Sequence, residues 1–396
     1  MKICLINNLY KPYNRGGAER VVELIARGLI NAGHDVFIIS TRPMITNYKL
    51  QITNYKIYYI NALYYNLDKF PKLFRIFWHI IDMFDIGSYF KIKLILKKEK
   101  PDIAMTHNLK GVSYLIPGLI KKLGIKHIHA LHDIQLLHPS GLMLYGKEKQ
   151  LDSAAAKIYA AVCRWLFGSP DAVISPSNWL MAIHIKREFF KNSKQAVLPN
   201  PVSFTVQPSH KEKGAKIFRF IYVGQIEEHK GVLFLISAFL DALDTRCLAR
   251  HRVSLIIAGS GSKLKQAKEL AGGNKNISIL GKISNEEVQK LMSRSDGLIA
   301  PSLCYENSPA VIYEAFSHGL PVIASNIGGI PELLADNAGL LFKPGGEEDL
   351  ILKIQFAINN PEELKKIGER GREKIKQFGV ENYIEKLLLT PPRPSS

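Results

Sequence analysis

Short β-rich runs alternate with amphipathic helical stretches along this chain, and the alternation runs through twice. A strand, a helix and a second strand in succession favour a parallel strand pair with the helix packed over it, so the pattern predicts parallel sheets covered by helices. In the first half, residues 2–7 read as a strand, 17–31 as a helix with apolar Val21, Val22, Leu24, Ile25 and Leu29, and 35–40 as the next strand. Further strands are expected at 103–106, 126–131 and 172–176. Residues 195–220 set Pro199, Pro201, Pro208 and Gly214 among polar residues and read as an interdomain linker. A second unit follows, with strands expected at 218–223, 253–258, 277–280, 297–300, 321–324 and 339–342. Ser284 and Glu287 have the spacing of a capping box for a helix through Met292. A chain of 396 residues exceeds one ordinary domain, so the expected fold class is α/β with two such units.

Charge is unevenly placed. Residues 1–200 hold 28 Lys and Arg against 13 Asp and Glu, so +15 of the formal +18 lies in the first half. This suggests an anionic partner, which could be nucleic acid, an anionic membrane surface or a phosphorylated acceptor; a generally basic proteome would give the same balance. Lysine greatly outnumbers arginine and no recognisable nucleic-acid module occurs, which leaves nucleic acid the least favoured. No apolar run reaches the roughly 18 to 20 residues of a membrane span, and Met1 leads directly into a strand, so a cytoplasmic location is expected. Cys4, Cys163, Cys247 and Cys304 are far apart without metal-ligand spacing and read as reduced thiols. Residues 73–86 put Arg75, His79, Asp82 and Asp85 on one stripe against Phe74, Phe77, Trp78 and Phe84, with Lys69, Lys72, Lys91 and Lys93 flanking. A helix packed on the first sheet is the favoured reading, and a membrane-surface helix the other.

The motif richest in chemistry is Glu306-Asn307-Ser308-Pro309-Ala310-Val311-Ile312-Tyr313-Glu314. Proline suits a first helical turn, so Glu306 is expected in the loop before a helix and Glu314 more than a turn along it. Between them, free amides and the positive end of the helix dipole make a seat for phosphate. Two acids at this spacing also occur on ordinary helices, with Glu306 solvated and Glu314 on the surface. Other candidates lie in loops after strands, where doubly wound sheets bind ligands. Gly16-Gly17-Ala18-Glu19 opens the first helix and is either a phosphate approach or a plain helix-start turn. Residues 224–231 follow the first strand of the second unit and contain Gln225 and Lys230. His132-Asp133 and His107-Asn108 each follow a predicted strand; a lone histidine is more often structural. Gly259-Ser260-Gly261-Ser262 lacks the third glycine of a dinucleotide fingerprint, which disfavours an NAD-dependent oxidoreductase.

Downstream of Glu314 stand Gly319-Leu320-Pro321-Val322-Ile323-Ala324-Ser325, Gly328-Gly329-Ile330-Pro331-Glu332-Leu333 and Ala338-Gly339-Leu340-Leu341-Phe342. With the 306–314 motif, this text resembles the retaining glycosyltransferases of GT-B architecture, glycosyltransferase family 4, over nearly the whole chain and most densely at 218–345. The resemblance implies two Rossmann-like β/α/β domains facing each other across a deep cleft: 1–200 for the acceptor, 201–375 for the nucleotide-sugar donor, and 376–396 a C-terminal helix returning to the first domain, with a disordered tail from Pro391 to Ser396. It implies that Glu314 holds ribose hydroxyls, Glu306 the donor sugar, and Lys230 with the amides around Asn307 and Ser308 the diphosphate, with Pro309 and Ala310 also in the donor site. Gly16 and Gly17 would touch the leaving diphosphate and the acceptor, the backbone at Ile283 the base, and His132 the sugar; His107, Asn108 and Asp133 would lie on the acceptor side. Asn200-Pro201-Val202 matches the family signature before the linker, as hinge or as ligand contact. The family usually has arginine at the position of Gln225, and glutamine donates hydrogen bonds without charge, so leaving-group stabilisation leans on Lys230 and the helix amides.

The expected activity is retaining transfer of a sugar from a nucleoside-diphosphate sugar to a hydroxyl acceptor, with Glu306, Lys230 and His132 as the catalytic set. The acceptor is expected to be a saccharide or polyprenyl-linked saccharide of bacterial cell-surface polysaccharide assembly. No Asp-x-Asp motif is present, so metal independence is expected, with no cofactor beyond the donor substrate. The basic first half fits peripheral contact with an anionic membrane at its inner face. Two alternatives stay open: a catalytically weak scaffold that binds nucleotide or partners, motivated by Gln225, and a nucleotide-sugar epimerase or hydrolase.

Overall fold

The structure is a computed structural model that describes residues 1–13, 16–43, 55–62, 71–203, 217–244 and 252–390. Lys69, Cys247, linker residues 204–216 and the tail 391–396 lie outside the described residues, as do the side chains of 72–77, Lys72 and Arg75 among them. Two compact units form: one from Met1–Leu142, Lys149–Ser203 and Val380–Ser396, the other from Met143–Glu148 and Phe204–Gly379.

Unit 1 runs β1 (Lys2–Ile6), α1 (Gly17–Asn31), β2 (Asp35–Arg42), β3 (Lys56–Asn61), α2 (Lys72–Met83), α3 (Ile86–Glu99), β4 (Ile103–Thr106), α4 (Ile116–Lys122), β5 (Lys126–Ala130), α5 (Ala154–Phe167), β6 (Ala172–Ser175), α6 (Asn178–Ile185) and β7 (Lys194–Val197). Its seven described strands are ordered β3-β2-β1-β4-β5-β6-β7, all parallel. Ile3 of β1 stands opposite Val36 on one side and Ile103 on the other, so strand order reverses between β1 and β4. Strands covered on both faces carry unbroken apolar runs, and every residue of β4 and β6 is buried.

Unit 2 repeats the plan with β8 (Ile217–Val223), α7 (Val232–Asp244), β9 (Arg252–Ala258), α8 (Leu264–Ala271), β10 (Ile277–Gly281), α9 (Asn285–Arg294), β11 (Gly297–Ala300), α10 (Ala310–His318), β12 (Val322–Ser325), α11 (Ile330–Leu333), β13 (Leu340–Phe342), α12 (Glu347–Asn359) and α13 (Pro361–Ile375). The order is β10-β9-β8-β11-β12-β13, again parallel, with the reversal between β8 and β11. Phe220, Leu235, Ile236, Phe239, Leu255 and Ile257 centre its core. A last helix, α14 (Val380–Leu389), returns to unit 1, where Tyr383, Ile384 and Leu387 join Val22, Ile25 and Leu29 of α1 in the core.

The helix expected over 73–86 is corrected. It ends at Met83, because Asp85 caps a new helix, accepting hydrogen bonds from the Ser88 amide at 3.0 Å and hydroxyl at 2.6 Å. Asp82, expected on a polar outer stripe, is buried and accepts the Gly111 amide through both oxygens, at 2.8 and 2.9 Å. Ile80 and Ile81 are exposed instead. The capping box at Ser284 is present, with the Glu287 amide donating to Ser284 Oγ at 3.2 Å and the Ser284 amide to the Glu287 carboxylate at 2.9 Å. Pro309 sits at the N-cap of α10 rather than within its first turn. Cys4, Cys163 and Cys304 are buried unpaired thiols.

Candidate functional site

In a doubly wound sheet the loops on either side of the order reversal splay apart at the carboxyl ends of the strands and leave a crevice. In unit 2 those loops follow β8 and β11, and they contain Lys230 and Glu306, 76 positions apart in sequence. The loop after β8 tightens into a 3-10 turn at Glu228–Lys230 and ends at Gly231, whose φ of +72° is the left-handed region. A Cβ there would lie 1.9 Å from the Pro301 carbonyl oxygen, so the close approach of the two loops requires glycine. The Leu303 amide donates to the His229 carbonyl at 2.9 Å and fastens the loops together.

On this frame the Lys230 ammonium donates to Glu306 Oε1 and forms an ion pair with it. The Ser302 hydroxyl donates to the same oxygen at 3.0 Å. Burial draws the Lys230 pKa down, but the Glu306 and Cys304 charges and the Glu306 hydrogen bond outweigh it, and the ammonium is held above the ordinary lysine value. The Glu306 carbonyl accepts the Gly329 amide at 2.8 Å; Gly328, at φ +63°, would place a Cβ 2.1 Å from that carbonyl. The Gly328-Gly329 pair therefore sets the backbone of Glu306.

Just beyond, Asn307, Ser308 and Pro309 lead into α10, whose N-cap residue, Pro309, makes no side-chain hydrogen bond to the first helical amides. The Ser308 hydroxyl meets the Tyr313 hydroxyl at 2.6 Å. Ala310 opens the helix, and Glu314 lies half-buried one turn along it. Gln225 is exposed in the loop after β8 and its carbonyl accepts the Tyr222 hydroxyl at 2.6 Å. Ile283 stands half-buried in the turn after β10, two strands from the reversal.

Residues 143–148 are a strap that belongs to unit 2 although the chain on either side of it belongs to unit 1. Leu144 forms an antiparallel bridge to Cys304, the Tyr145 amide donates to Leu303, and the Tyr305 amide to Met143, both at 2.9 Å. The Tyr305 hydroxyl donates to Glu148 Oε1 at 2.9 Å. The strap thus holds the three residues before Glu306. Ser302, Tyr305 and Glu148 carried no signal in the sequence, since each is defined by partners distant along the chain.

Unit 1 gathers a second set at its own reversal. Asn7, after β1, accepts the Asn108 amide at 3.1 Å, and the Asn8 amide donates to the Asn108 carbonyl at 2.9 Å. His107 Nδ1 and His132 Nε2 share a hydrogen bond at 2.9 Å across the ends of β4 and β5. Desolvation, and then the His132 and His129 charges, hold His107 well below the ordinary histidine range, and desolvation lowers His132 to about 4. Both rings are therefore neutral at neutral pH, one donating and one accepting. His107 Nε2 has no partner among the described residues. Burial raises Asp133 to about 6, against the Gln135 amide that it accepts at 2.7 Å and the Lys110 charge. Gly16 and Gly17 are exposed at the start of α1, and the Gly16 amide donates to Glu19 Oε2 at 2.9 Å.

The sequence-derived residues thus fall into two groups. Lys230, Glu306, Asn307, Ser308, Pro309, Ala310 and Gln225 gather at the reversal of unit 2, with Glu314 a turn beyond and Ile283 further off. His107, Asn108, His132 and Asp133 gather in unit 1, with Gly16 and Gly17 at its first helix.

Residues 204–374 match the family described as Glycosyl transferases group 1, and residues 15–205 match Glycosyltransferase Family 4. A 42.6 kDa protein of the cps region of Klebsiella pneumoniae is 28% identical over 338 residues, covering 84% of this chain and 87% of that one. HepE of Anabaena, solved with UDP, superposes with a TM-score of 0.72 at 18% identity over 98% of this chain and 99% of its own. A lipopolysaccharide outer core galactosyltransferase, WaaB, superposes at 0.67 and 18% identity over 98% and 99%. At such identity these likenesses show the fold.

Proposed function

The chain belongs to the GT-B glycosyltransferases of family 4, the two family matches together running from residue 15 to 374, and on that premise we propose that it moves a sugar from a nucleoside-diphosphate sugar to a hydroxyl acceptor with retention of configuration and without a metal ion. The observation that carries this reading is the Lys230–Glu306 pair beside the uncapped start of α10. A cation, a carboxylate and open helix amides within one loop cluster match a donor that presents a diphosphate next to sugar hydroxyls. Lys230 exchanges its bond to Glu306 for the diphosphate, with the amides of Asn307, Ser308 and Ala310 completing the seat. Glu306, released, accepts hydroxyls of the donor sugar, and Glu314 those of the ribose. Ile283 borders the base.

Glu306 lies in an ion pair and is not poised as a covalent nucleophile, which favours same-face displacement. The acceptor oxygen bonds to the anomeric carbon as the bond to the diphosphate breaks, and a departing phosphate oxygen takes the acceptor proton. Lys230 supplies the positive charge that the leaving group needs as its own charge grows. Neutral His132 can accept or donate a hydrogen bond at the acceptor, with His107 orienting its ring.

HepE has been solved with UDP and with UDP-glucose, which supports the donor class. The cps-region relative and the +15 first half support a saccharide or lipid-linked saccharide acceptor of bacterial cell-surface polysaccharide, and a cytoplasmic enzyme peripheral to the inner face of the membrane. No described helix is long and apolar enough to cross a membrane. Gln225 favours a second reading, a weak transferase that binds nucleotide without efficient turnover.

Calorimetry with UDP, GDP, ADP and their common sugar conjugates, on wild type and Glu314→Ala, with and without chelator, tests the proposal. Binding of one nucleotide class, weakened about tenfold or more by the substitution and indifferent to chelator, is the expected result. No binding to any of them would overturn it, and binding abolished by chelator and restored by magnesium or manganese would overturn metal independence.

A further inference from the structure

We propose that unit 1 docks on an anionic lipid bilayer through the face built by α3 and α5. The inference deepens the peripheral-membrane part of the proposed function and does not depend on donor chemistry.

Ile86, Phe90 and Leu94 follow one another at intervals of four along α3, and all are exposed, Leu94 to 70%. On α5, Ile158 and Trp165 stand seven apart and are also exposed, Trp165 to 75%. Such spacings put each set on one stripe of its helix. The other faces are already used: Ile92 and Leu96 of α3, and Cys163, Leu166 and Phe167 of α5, are buried. Each helix therefore packs on the protein with one apolar face and presents a second to solvent. Between them, Ile86, Tyr89, Phe90, Trp165 and Leu166, with Lys122 of α4, line a groove of about 460 Å³. A contiguous exposed surface of this composition is uncommon on a soluble monomer and marks an interaction site.

The charge around it identifies the occupant. Helices α3, α4 and α5 carry Lys91, Lys93, Lys97, Lys98, Lys121, Lys122, Lys157 and Arg164 against one acid, Glu99. Glu99 is buried and engaged by Lys2, Lys56 and Tyr58, and Arg164 is paired with Glu188. Seven lysines thus share these three helices with the aromatic and aliphatic stripe, Lys122 lining the groove and Lys93 over Phe90, with no free counter-charge on the same helices. That combination suits the headgroup boundary of an anionic membrane: tryptophan and phenylalanine enter at the acyl edge while lysine stems lie along apolar surface and their ammonium groups meet lipid phosphates. Lys93 shows the posture, its ammonium 5.8 Å from the centre of the Phe90 ring. A second copy of the chain would set lysines against lysines on this face and is disfavoured by repulsion.

The test is co-sedimentation of the full chain with vesicles of phosphatidylglycerol and phosphatidylcholine, against phosphatidylcholine alone. Binding to the anionic vesicles, weakened by salt and accompanied by a blue shift of emission that Trp165→Phe removes, is expected. Phe90→Ser with Trp165→Ser should weaken it about tenfold or more, and Lys97→Gln with Lys98→Gln should weaken it also, with thermal stability and nucleotide binding unchanged. The proposal is overturned by absence of binding to anionic vesicles at low salt, by binding that the Phe90 and Trp165 substitutions leave intact, or by a dimer in sedimentation velocity that those substitutions dissolve. Vesicle binding lost while nucleotide binding persists counts against docking alone; the reverse counts against the donor site alone.

Discussion

Replacing Lys230 with methionine separates the two roles that the ion pair with Glu306 could have. The side chains are 25% and 17% exposed, which places the pair between a solvated surface bridge and a buried one. Surface pairs contribute about 0–1 kcal/mol and breaking a buried pair costs about 3–5 kcal/mol, so Lys230→Met should cost roughly 2 kcal/mol. Much of that cost is the half-buried Glu306 left, among the described residues, with the Ser302 hydroxyl. For a unit of this size the midpoint of thermal unfolding should fall by roughly 4–8 °C. Adding Glu306→Gln removes the unpaired carboxylate, and the double variant should recover to within about 0.5 kcal/mol of wild type. Nucleotide binding should not recover. A charged hydrogen bond to phosphate contributes about 1.5–3 kcal/mol, so both variants should bind the nucleoside diphosphate roughly 10- to 150-fold more weakly. Differential scanning calorimetry and titration calorimetry on the three proteins give both quantities. A Lys230→Met protein that is less stable but binds nucleotide within about threefold of wild type would make the lysine structural and refute the assignment.

Acidification should destabilise unit 1. His127, His132 and His184 have folded pKa values lowered by burial to about 3, 4 and 4, so the unfolded chain binds more protons below its own value of 6.5, and stability falls as pH drops from there toward 4. From pH 7 to 5 the three histidines cost about 2 kcal/mol each, while Asp82 and Asp133, raised to about 7 and 6, return about 2 and 1 kcal/mol, leaving a net loss of roughly 2–3 kcal/mol. All three tryptophans, Trp78, Trp165 and Trp179, lie in unit 1, so urea unfolding followed by their fluorescence reads this unit; a midpoint equal or higher at pH 5 would contradict the balance. Gly231→Ala combines a left-handed residue with a backbone clash and should cost about 3 kcal/mol or more, whereas Gly273→Ala, at φ +70° with open space around it, should cost about 1 kcal/mol; equal losses would refute the close-approach argument.

Much of the fold was legible because the units are built from local periodicities. Alternating strands and helices are written in neighbouring residues, and a parallel sheet covered on both faces leaves strands such as Ala172–Ser175 and Val322–Ser325 wholly buried, each an apolar run of three closed by a serine. The loop before α10 was legible for the same reason, since Pro309 marks a helix boundary within four residues of its effect. The break at Met83 was not, because Asp85 as a cap competes with an apolar rhythm that continues past it, and the Gly111 amide that buries Asp82 is 29 positions away.

By itself the sequence determined two α/β units, their loops, and the residue types that a diphosphate and a sugar require. Only the tertiary structure decided which of those residues meet. Lys230 reaches Glu306 because β8 and β11 are neighbours in the sheet while two strands and three helices separate them in the chain. His107 reaches His132 across adjacent strand ends, and Tyr305 reaches Glu148 over 157 positions. Strand order is a property of how whole apolar faces are covered at once, and no local stretch of residues encodes it.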